Sequence, residues 1–294
     1  MRNSGEMYSM TGKVIAVVGA GVMGSDVALD FASHNYRIIL RDLTDEILEN
    51  ARSNIKRSYS FVKMMKKDFF SSPLDEILSG ITFVTGYDHF NEADIVIENI
   101  NENFEAKKKL YAELQNVCRD DVVFGVNTSC IPITKIGELM PKPQNVIGMH
   151  LMNPVPLKPF VEIIRGKRTS DETVDKTKSL FQSLNKTCIV VNDCAGFVSS
   201  RILMVTINES IRLIQDGIAE PKDVDMICKL GFGHKMGPLA TADLIGLDTI
   251  LDSLVVLYEN YNDPKYEPCP LLRKMVDAGL LGKKSGKGFF EYRI

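Results

Sequence analysis

Short apolar runs alternate with helical stripes along the first two thirds of the chain. Val14–Val18 is an apolar run that ends at a glycine-rich turn, and helical spacing follows through Val27, Leu29 and Phe31. A second apolar run comes next, at residues 38–40. The order strand, glycine turn, helix, strand is that of a βαβ unit. The pattern therefore predicts the start of a doubly wound α/β domain.

Six further apolar runs predict strands in the same part of the chain. The clearest helices between them are predicted at residues 104–118 and 173–184. A long helix is predicted to start at Thr44, because acidic residues follow it, and to reach about residue 70. The six predicted strands are residues 81–85, 94–97, 122–127, 146–152, 160–164 and 187–191.

The strand signals stop after about residue 192. Leu203, Ile207, Ile211 and Ile214 recur at helical spacing, and a similar stripe runs over residues 244–257. An α/β region followed by an all-α region indicates two domains. We predict a Rossmann-type nucleotide-binding domain over residues 1–192 and an all-α domain, for substrate binding and dimerisation, over residues 193–294.

Composition narrows the class of protein. The net charge of −3 gives no support for nucleic-acid binding. We find no secretory signal and no apolar run near the ~18 residues that a membrane span needs. The six cysteines show no zinc-ligand spacing, so no metal is predicted. They are interpreted as reduced thiols, which favours a cytoplasmic enzyme without nucleic-acid or membrane partners.

The sequence GAGVMG, residues 19–24, is the first motif that indicates chemistry. Glycines at the first, third and sixth positions permit a tight turn, close approach to a pyrophosphate, and packing of helix on strand. Asp42 follows the next strand, where a carboxylate binds the adenosine ribose and repels a 2′-phosphate. The motif predicts NAD as cofactor, with NADP as an alternative because Arg41 precedes Asp42. The predicted contacts are Gly19, Gly21, Val22, Met23, Gly24 and Asp42.

His150 and Glu162 form the second constellation. His150 ends a predicted strand, a segment containing three prolines follows, and Glu162 lies on the next strand. Histidine titrates near neutral pH and suits a general base for a secondary alcohol. A carboxylate on its second nitrogen would fix the tautomer and stabilise the imidazolium. Spacing alone leaves open a buried structural histidine.

With these motifs in place, the chain resembles the 3-hydroxyacyl-CoA dehydrogenase family from about residue 14 to residue 292. The resemblance is carried by VIAVVGAGVMG, NENFEAK, NTSCIPIT, GMHLMNPVPLKPFVEII, AGFVSSRIL, MGPLATADLIGLDT and GKKSGKGFFEY. It implies NAD-dependent interconversion of a 3-hydroxyacyl thioester and a 3-ketoacyl thioester, as in 3-hydroxybutyryl-CoA dehydrogenases. It also implies that His150 and Glu162 are catalytic.

The resemblance implies roles for further residues. Glu102, Lys107, Asn127 and Asn153 match positions that contact the cofactor in the family. Ser129 matches a residue that contacts the nicotinamide and the substrate hydroxyl, and it is expected to be catalytic. Lys63, Lys66 and Lys67, at the basic end of the long predicted helix, match the region that holds the CoA moiety.

Two departures from the family pattern concern the substrate. The family has P-G-F-x-x-N-R at the domain junction, where this chain has AGFVSSR. Ser200 therefore replaces an asparagine that reaches the substrate, and it is expected to take a catalytic position with a shorter side chain. Lys158 and Pro159 alter the segment before Glu162. These changes point to an acyl group with an extra polar group, or to one carried on a protein.

Alternatives remain at this stage. A related dehydrogenase acting on polar acyl groups tethered to acyl carrier protein, for polyketide extender units, fits the same motifs. A 6-phosphogluconate-like dehydrogenase is disfavoured because no match to its lysine motif is found. A non-enzymatic, crystallin-like NAD-binding protein is disfavoured by the His150–Glu162 pair.

The apolar stripes of the helical domain and the resemblance predict a homodimer.

Overall fold

The computed structural model describes residues 12–292. The chain divides into two compact units between Cys194 and Ala195. This division falls two residues after the end of the predicted first domain. Among residues 12–292, no helix combines the length and the apolar character needed to cross a membrane.

Within the described residues, the first unit contains one eight-stranded sheet with the order β3-β2-β1-β4-β5-β6-β7-β8. Neighbouring strands are parallel, except that β7 runs antiparallel to β6. The order 3-2-1-4-5-6 defines a Rossmann sheet. The strands are β1 (Val14–Val18), β2 (Arg37–Arg41), β3 (Ile81–Val84), β4 (Ile95–Glu98), β5 (Val123–Val126), β6 (Val146–His150), β7 (Phe160–Arg165) and β8 (Thr187–Asn192).

Helices flank this sheet. They are α1 (Val22–Ser33), α2 (Asp45–Met65), α3 (Leu74–Ser79), α4 (Phe104–Val117), α5 (Ile133–Gly137) and α6 (Asp171–Ser183). The side chain of Thr44 caps α2, as expected from the sequence. The prediction that α2 reaches about residue 70 is wrong, because it ends at Met65. Lys63 is therefore in its last turn, Lys66 is its C-cap, and Lys67 lies beyond it.

The second unit is helical. Its helices are α7 (Ser199–Gln215), α8 (Pro221–Gly231), α9 (Pro238–Ile245), α10 (Leu247–Tyr261) and α11 (Pro270–Asp277). The predicted continuous stripe over residues 244–257 is wrong, because Gly246 separates α9 from α10 with a φ of 110°. Such a backbone conformation strongly favours glycine. The α/β and all-α fold classes are confirmed.

Asp243, a buried residue of α9, binds residues 289–292. Its carboxylate accepts hydrogen bonds from the amides of Phe289 (3.0 Å) and Phe290 (2.9 Å) and from the Tyr292 hydroxyl (3.1 Å). Burial raises the pKa of this carboxyl, and the two amides counteract that effect. Residues 289–292 therefore belong to the folded helical unit.

Candidate active site

The glycine turn joins β1 to α1 at the carboxyl edge of the sheet. Gly19 has a φ of 92°, and a Cβ on Gly24 would lie 1.7 Å from the Gly19 carbonyl oxygen. Both positions therefore require glycine. At Gly21, an added Cβ would have no neighbouring atom within 4 Å, so the space beside this glycine is open. No side-chain hydrogen bond caps the first turn of α1. The helix N-terminus thus presents backbone amides beside an open glycine, which suits a pyrophosphate.

Asp42 lies beside this turn at the end of β2. Its Oδ2 accepts a hydrogen bond from the Ala20 amide at 2.6 Å, and its Oδ1 accepts one from the Leu43 amide at 2.7 Å. The guanidinium of the preceding Arg41 stacks 4.8 Å from the ring centre of Tyr87. The carboxylate thus lies against the glycine turn, and the cation is engaged elsewhere. This arrangement suits an adenosine ribose with a 2′-hydroxyl.

His150 and Glu162 meet at the same edge of the sheet. His150 ends β6, and the antiparallel register places it directly opposite Glu162 on β7. Nδ1 of the imidazole lies 2.9 Å from Oε2 of the carboxylate. Only 6% of His150 and 2% of Glu162 are exposed. The predicted meeting of the two side chains is thereby present in the structure.

Asn127 links the ends of neighbouring strands next to this pair. Its Nδ2 donates to Oδ1 of Asn99 at 2.8 Å. Its Oδ1 accepts from the amide of Leu151, the residue after His150, at 3.2 Å. Asn127 therefore holds the chain just beyond β6 against the ends of β4 and β5.

Glu102 organises the loop that carries Ser129. Its Oε1 accepts hydrogen bonds from the Thr128 hydroxyl and from the amides of Ser129 (3.1 Å), Cys130 (2.9 Å) and Ile131 (3.3 Å). The family resemblance implied only a contact with the cofactor for Glu102. The structure adds a role in shaping the 128–131 loop, and the contact with the cofactor stays a prediction.

Lys107 is completely buried, unlike the surface lysine that its spacing from Glu102 would suggest. Its ammonium lies 2.7 Å from both carboxylate oxygens of Glu98, at the end of β4. Burial raises the pKa of Glu98, and Lys107 counteracts that effect. Oε1 of Glu98 also accepts from the Ile100 amide at 2.7 Å, which fixes the start of the β4–α4 loop. The predicted contact of Lys107 with the cofactor stays a prediction.

The remaining predicted residues lie in three places. Asn153 is exposed in the segment between His150 and Glu162, and its peptide bond to Pro154 is cis. Lys63, Lys66 and Lys67 are exposed around the end of α2. Ser200 belongs to the second unit, where it is buried in the first turn of α7.

Besides Glu98, three buried charged residues near the site were not predicted. Asp26 and Asp30 lie on α1, and Lys186 immediately precedes β8. The four-residue spacing of the two aspartates places them on one helix face, but nothing local indicates that this face is buried. The Val155 amide that binds Asp26 and the Lys186 ammonium beside Asp30 lie more than 120 residues away in sequence.

Comparisons with known proteins assign the family. Residues 14–194 match the model for the 3-hydroxyacyl-CoA dehydrogenase NAD binding domain, and residues 196–292 match the model for the 3-hydroxyacyl-CoA dehydrogenase C-terminal domain. The chain therefore belongs to the 3-hydroxyacyl-CoA dehydrogenase family. It is an NAD-dependent oxidoreductase that acts on a CH–OH group.

Individual relatives are similar over nearly their full length. A probable 3-hydroxybutyryl-CoA dehydrogenase of Deinococcus radiodurans is 43% identical over 276 residues, covering 94% of this chain and 99% of the relative. A 3-hydroxybutyryl-CoA dehydrogenase of Clostridioides difficile is 38% identical over 278 residues, covering 95% and 99%. The crystal structure of (S)-3-hydroxybutyryl-CoA dehydrogenase from Ralstonia eutropha has a TM-score of 0.88 and 37% identity, covering 97% of this chain and 100% of that chain.

Proposed function

We propose that this enzyme interconverts a short (S)-3-hydroxyacyl-CoA and the corresponding 3-ketoacyl-CoA, with His150 as the acid and base. The observation that carries the proposal is the His150–Glu162 pair, held in register at the carboxyl edge of a Rossmann sheet. Ligands of such sheets bind at this edge. The names of the similar relatives support a four-carbon acyl group.

The hydrogen bond to Glu162 defines the reactive nitrogen. When Nδ1–H donates to the carboxylate, the lone pair of the neutral imidazole is on Nε2. In the oxidative direction Nε2 accepts the proton of the 3-hydroxyl, and Glu162 stabilises the resulting imidazolium. In the reductive direction Nε2 returns that proton to the oxygen at C3. The hydride acceptor or donor would be supplied by the nicotinamide of NAD when the cofactor is bound.

Other residues of the first unit orient the reactants. The amides of Val22 and Met23 and the glycines of the turn would hold the pyrophosphate, and Asp42 would hold the ribose. Asn127, Asn153, Glu102 and Lys107 are proposed to border the rest of the cofactor. Ser129 is proposed to hydrogen-bond the substrate oxygen, positioned by the contacts of its loop with Glu102. Ser200, which belongs to the second unit, is proposed to contact the acyl thioester.

The end of α2 is the proposed CoA site. Lys63, Lys66 and Lys67 place three exposed cations there, and Phe61, Met64 and Met65 are exposed among them. Cations suit the phosphates of CoA, and apolar side chains suit its adenine. The same mixed surface suits an acidic carrier protein, so acyl carrier protein is the second candidate carrier.

We also propose that the enzyme is a homodimer formed through the helical unit. Exposed apolar side chains lie on α8, on the segment after it, and on α9, which packs on α8. Leu230 is 77% exposed and Phe232 is 70% exposed, which is unusual for large apolar residues unless a partner covers them.

Light scattering should give twice the chain mass of 32.8 kDa. A Leu230→Asp/Phe232→Asp variant should be monomeric, and a monomeric wild type would contradict the proposal.

No disulfide joins any of the six cysteines, all of which lie within the described residues. Free thiols are typical of a reducing compartment, which supports the proposed cytoplasmic location.

The function is tested by oxidation of NADH with acetoacetyl-CoA, acetoacetyl-acyl carrier protein and acetoacetyl-N-acetylcysteamine. The proposal predicts the highest kcat/KM with acetoacetyl-CoA. Replacing Lys63, Lys66 and Lys67 with alanine should lower that value while leaving the rate with the truncated thioester unchanged. A preference for the carrier-protein substrate would favour the second candidate. Turnover of none of the three would overturn the proposal.

A further inference from the structure

Three buried charged residues lie between α1 and the segment that connects His150 to Glu162, here called the 151–159 loop. Asp26 and Asp30 lie about one turn apart on α1, and Lys186 lies at the start of β8. Their exposed fractions are 4%, 0% and 5%. Charged side chains are rarely buried to this extent unless they have specific partners.

Their contacts converge on the 151–159 loop. Oδ2 of Asp26 accepts a hydrogen bond from the Val155 amide at 3.1 Å. The Lys186 ammonium donates to the carbonyl oxygens of Val155 at 2.8 Å and Lys158 at 2.9 Å. Oδ2 of Asp30 lies 3.0 Å from the same ammonium and balances its charge. One short 3-10 turn, Val155–Leu157, is therefore held at its first amide, at its first carbonyl and just beyond its end.

The loop is attached to both catalytic strands. It begins directly after His150, the last residue of β6, and it ends directly before β7, which carries Glu162. The amide of Thr187, next to Lys186, donates to the Pro159 carbonyl at 2.8 Å. On its other side, α1 starts at the glycine turn that is to bind the dinucleotide. The cluster thus connects the cofactor-binding helix to the segment between the two catalytic residues.

Stability alone does not account for a cluster of this composition. It contains two carboxyl groups and one ammonium, and burial raises the pKa of both Asp26 and Asp30. Apolar side chains of similar volume are often equally or more stabilising than buried ion pairs. These charged groups hold backbone groups of the loop in fixed positions by hydrogen bonds. Apolar residues would not do so.

We propose that Asp26, Asp30 and Lys186 are positioning residues that fasten the 151–159 loop to α1 and so hold His150 and Glu162 in place relative to the bound cofactor. The proposal rests on the proposed function, because it assigns these residues to the His150–Glu162 site. They act through the backbone of the loop and do not contact the reacting atoms.

The test compares Lys186→Met with the double variant Asp30→Leu/Lys186→Met. The single variant leaves a buried carboxyl without its counter-ion, and its Tm should fall by about 6–20 °C. The double variant replaces the ion pair with apolar groups and should regain most of that Tm. Neither variant restores the hydrogen bonds to Val155 and Lys158. Lys176→Met, which removes a partly exposed lysine paired with Glu172 on α6, is the matched control.

Two readouts separate positioning from stability. Amide hydrogen exchange in the 151–159 loop should be faster in both Lys186 variants than in the wild type, with β1 and β4 unchanged in the double variant. With acetoacetyl-CoA, kcat should fall by up to about 10²-fold in both variants, while the Kd for NADH stays within about twofold. The control should match the wild type in every measurement.

The outcomes are distinct. If kcat and loop exchange return to wild-type values together with Tm in the double variant, the cluster is only structural and the proposal is overturned. Unchanged loop exchange in both variants would also overturn it. If the wild type binds NADH but does not reduce acetoacetyl-CoA, the proposed function fails. Faster loop exchange would then support attachment of the loop by the cluster independently of that reaction.

Discussion

His150 and Glu162 are direct register partners on antiparallel strands, and their side chains hydrogen-bond at 2.9 Å. Twelve residues separate them in sequence, and the 151–159 loop reverses the chain between them. Because β7 runs antiparallel to β6, it brings the carboxylate back to the edge where β6 places the imidazole. A reversal of strand direction thus places the proposed acid–base pair where Rossmann sheets bind their ligands.

Asp42 is predicted to exclude NADPH by its charge. Asp42→Asn keeps an oxygen that can accept from the Ala20 amide but removes the repulsion of a 2′-phosphate. The ratio of kcat/KM for NADH to that for NADPH should therefore fall at least tenfold, a change of about 1.4 kcal/mol. Tm should stay within a few degrees of the wild type. An unchanged ratio would show that other groups determine the preference.

Glu102 is predicted to act through the 128–131 loop. Glu102→Ala removes the acceptor of four hydrogen bonds and should lower the free energy of unfolding by about 1–2 kcal/mol, as well as lowering kcat. Urea denaturation and steady-state kinetics measure the two effects. The exposed Glu259 on α10 provides a control as Glu259→Ala. A loss of NADH affinity with normal stability would instead indicate a direct cofactor contact alone.

Asp26 is predicted to make stability decrease as pH rises. Burial raises its folded-state pKa above the ordinary value of 3.8. At a pH between 3.8 and the folded-state pKa, the folded protein therefore holds a proton that the unfolded chain has lost. Stability from this group therefore falls from about pH 3.8 up to the folded pKa and is constant above it. Asp26→Asn removes this loss, so its Tm relative to the wild type should increase with pH over that window.

Asp263, a partly exposed residue, provides a control of opposite sign. Lys265 lowers the pKa of Asp263, so this group stabilises the fold above its unfolded pKa and loses that effect as pH falls. The Tm of Asp263→Asn relative to the wild type should therefore decrease slightly with pH. A pH-independent Tm difference for Asp26→Asn would show that Asp26 does not titrate as its burial implies.

Ser200 is predicted to limit turnover of the simplest substrate. The family asparagine at this position can reach the thioester oxygen, and serine is shorter. Ser200→Asn should raise kcat/KM for acetoacetyl-CoA roughly tenfold, the effect of one hydrogen bond. A wild-type value above ~10⁶ M⁻¹s⁻¹ would contradict this prediction, since a site that is already efficient has no missing contact to restore.

The sequence was sufficient for features encoded by local patterns. The eight strands, the glycine turn and the Thr44 cap follow from apolar periodicity and from residues with strong positional preferences. The break at Gly246 was missed because apolar residues continue on both sides of it. Only the backbone conformation distinguishes this glycine from one within a helix.

The buried charges were missed for a different reason. Lys107 and Lys186 would be interpreted as surface residues from their sequence neighbours. Their partners, Glu98 for Lys107 and Asp30 for Lys186, lie on other elements and are brought close only by the folded sheet and helices. Tertiary contacts of this kind leave no periodic signal.

The central claim is tested most directly by kcat for NADH-dependent reduction of acetoacetyl-CoA in His150→Gln. We predict a decrease of about 10²–10⁴-fold, the usual effect of losing a general acid, with the Kd for NADH within about threefold of the wild type. His89→Gln, which alters an exposed histidine paired with Glu92, should leave kcat unchanged. A near-normal kcat in His150→Gln would contradict the assignment of His150 as the acid and base.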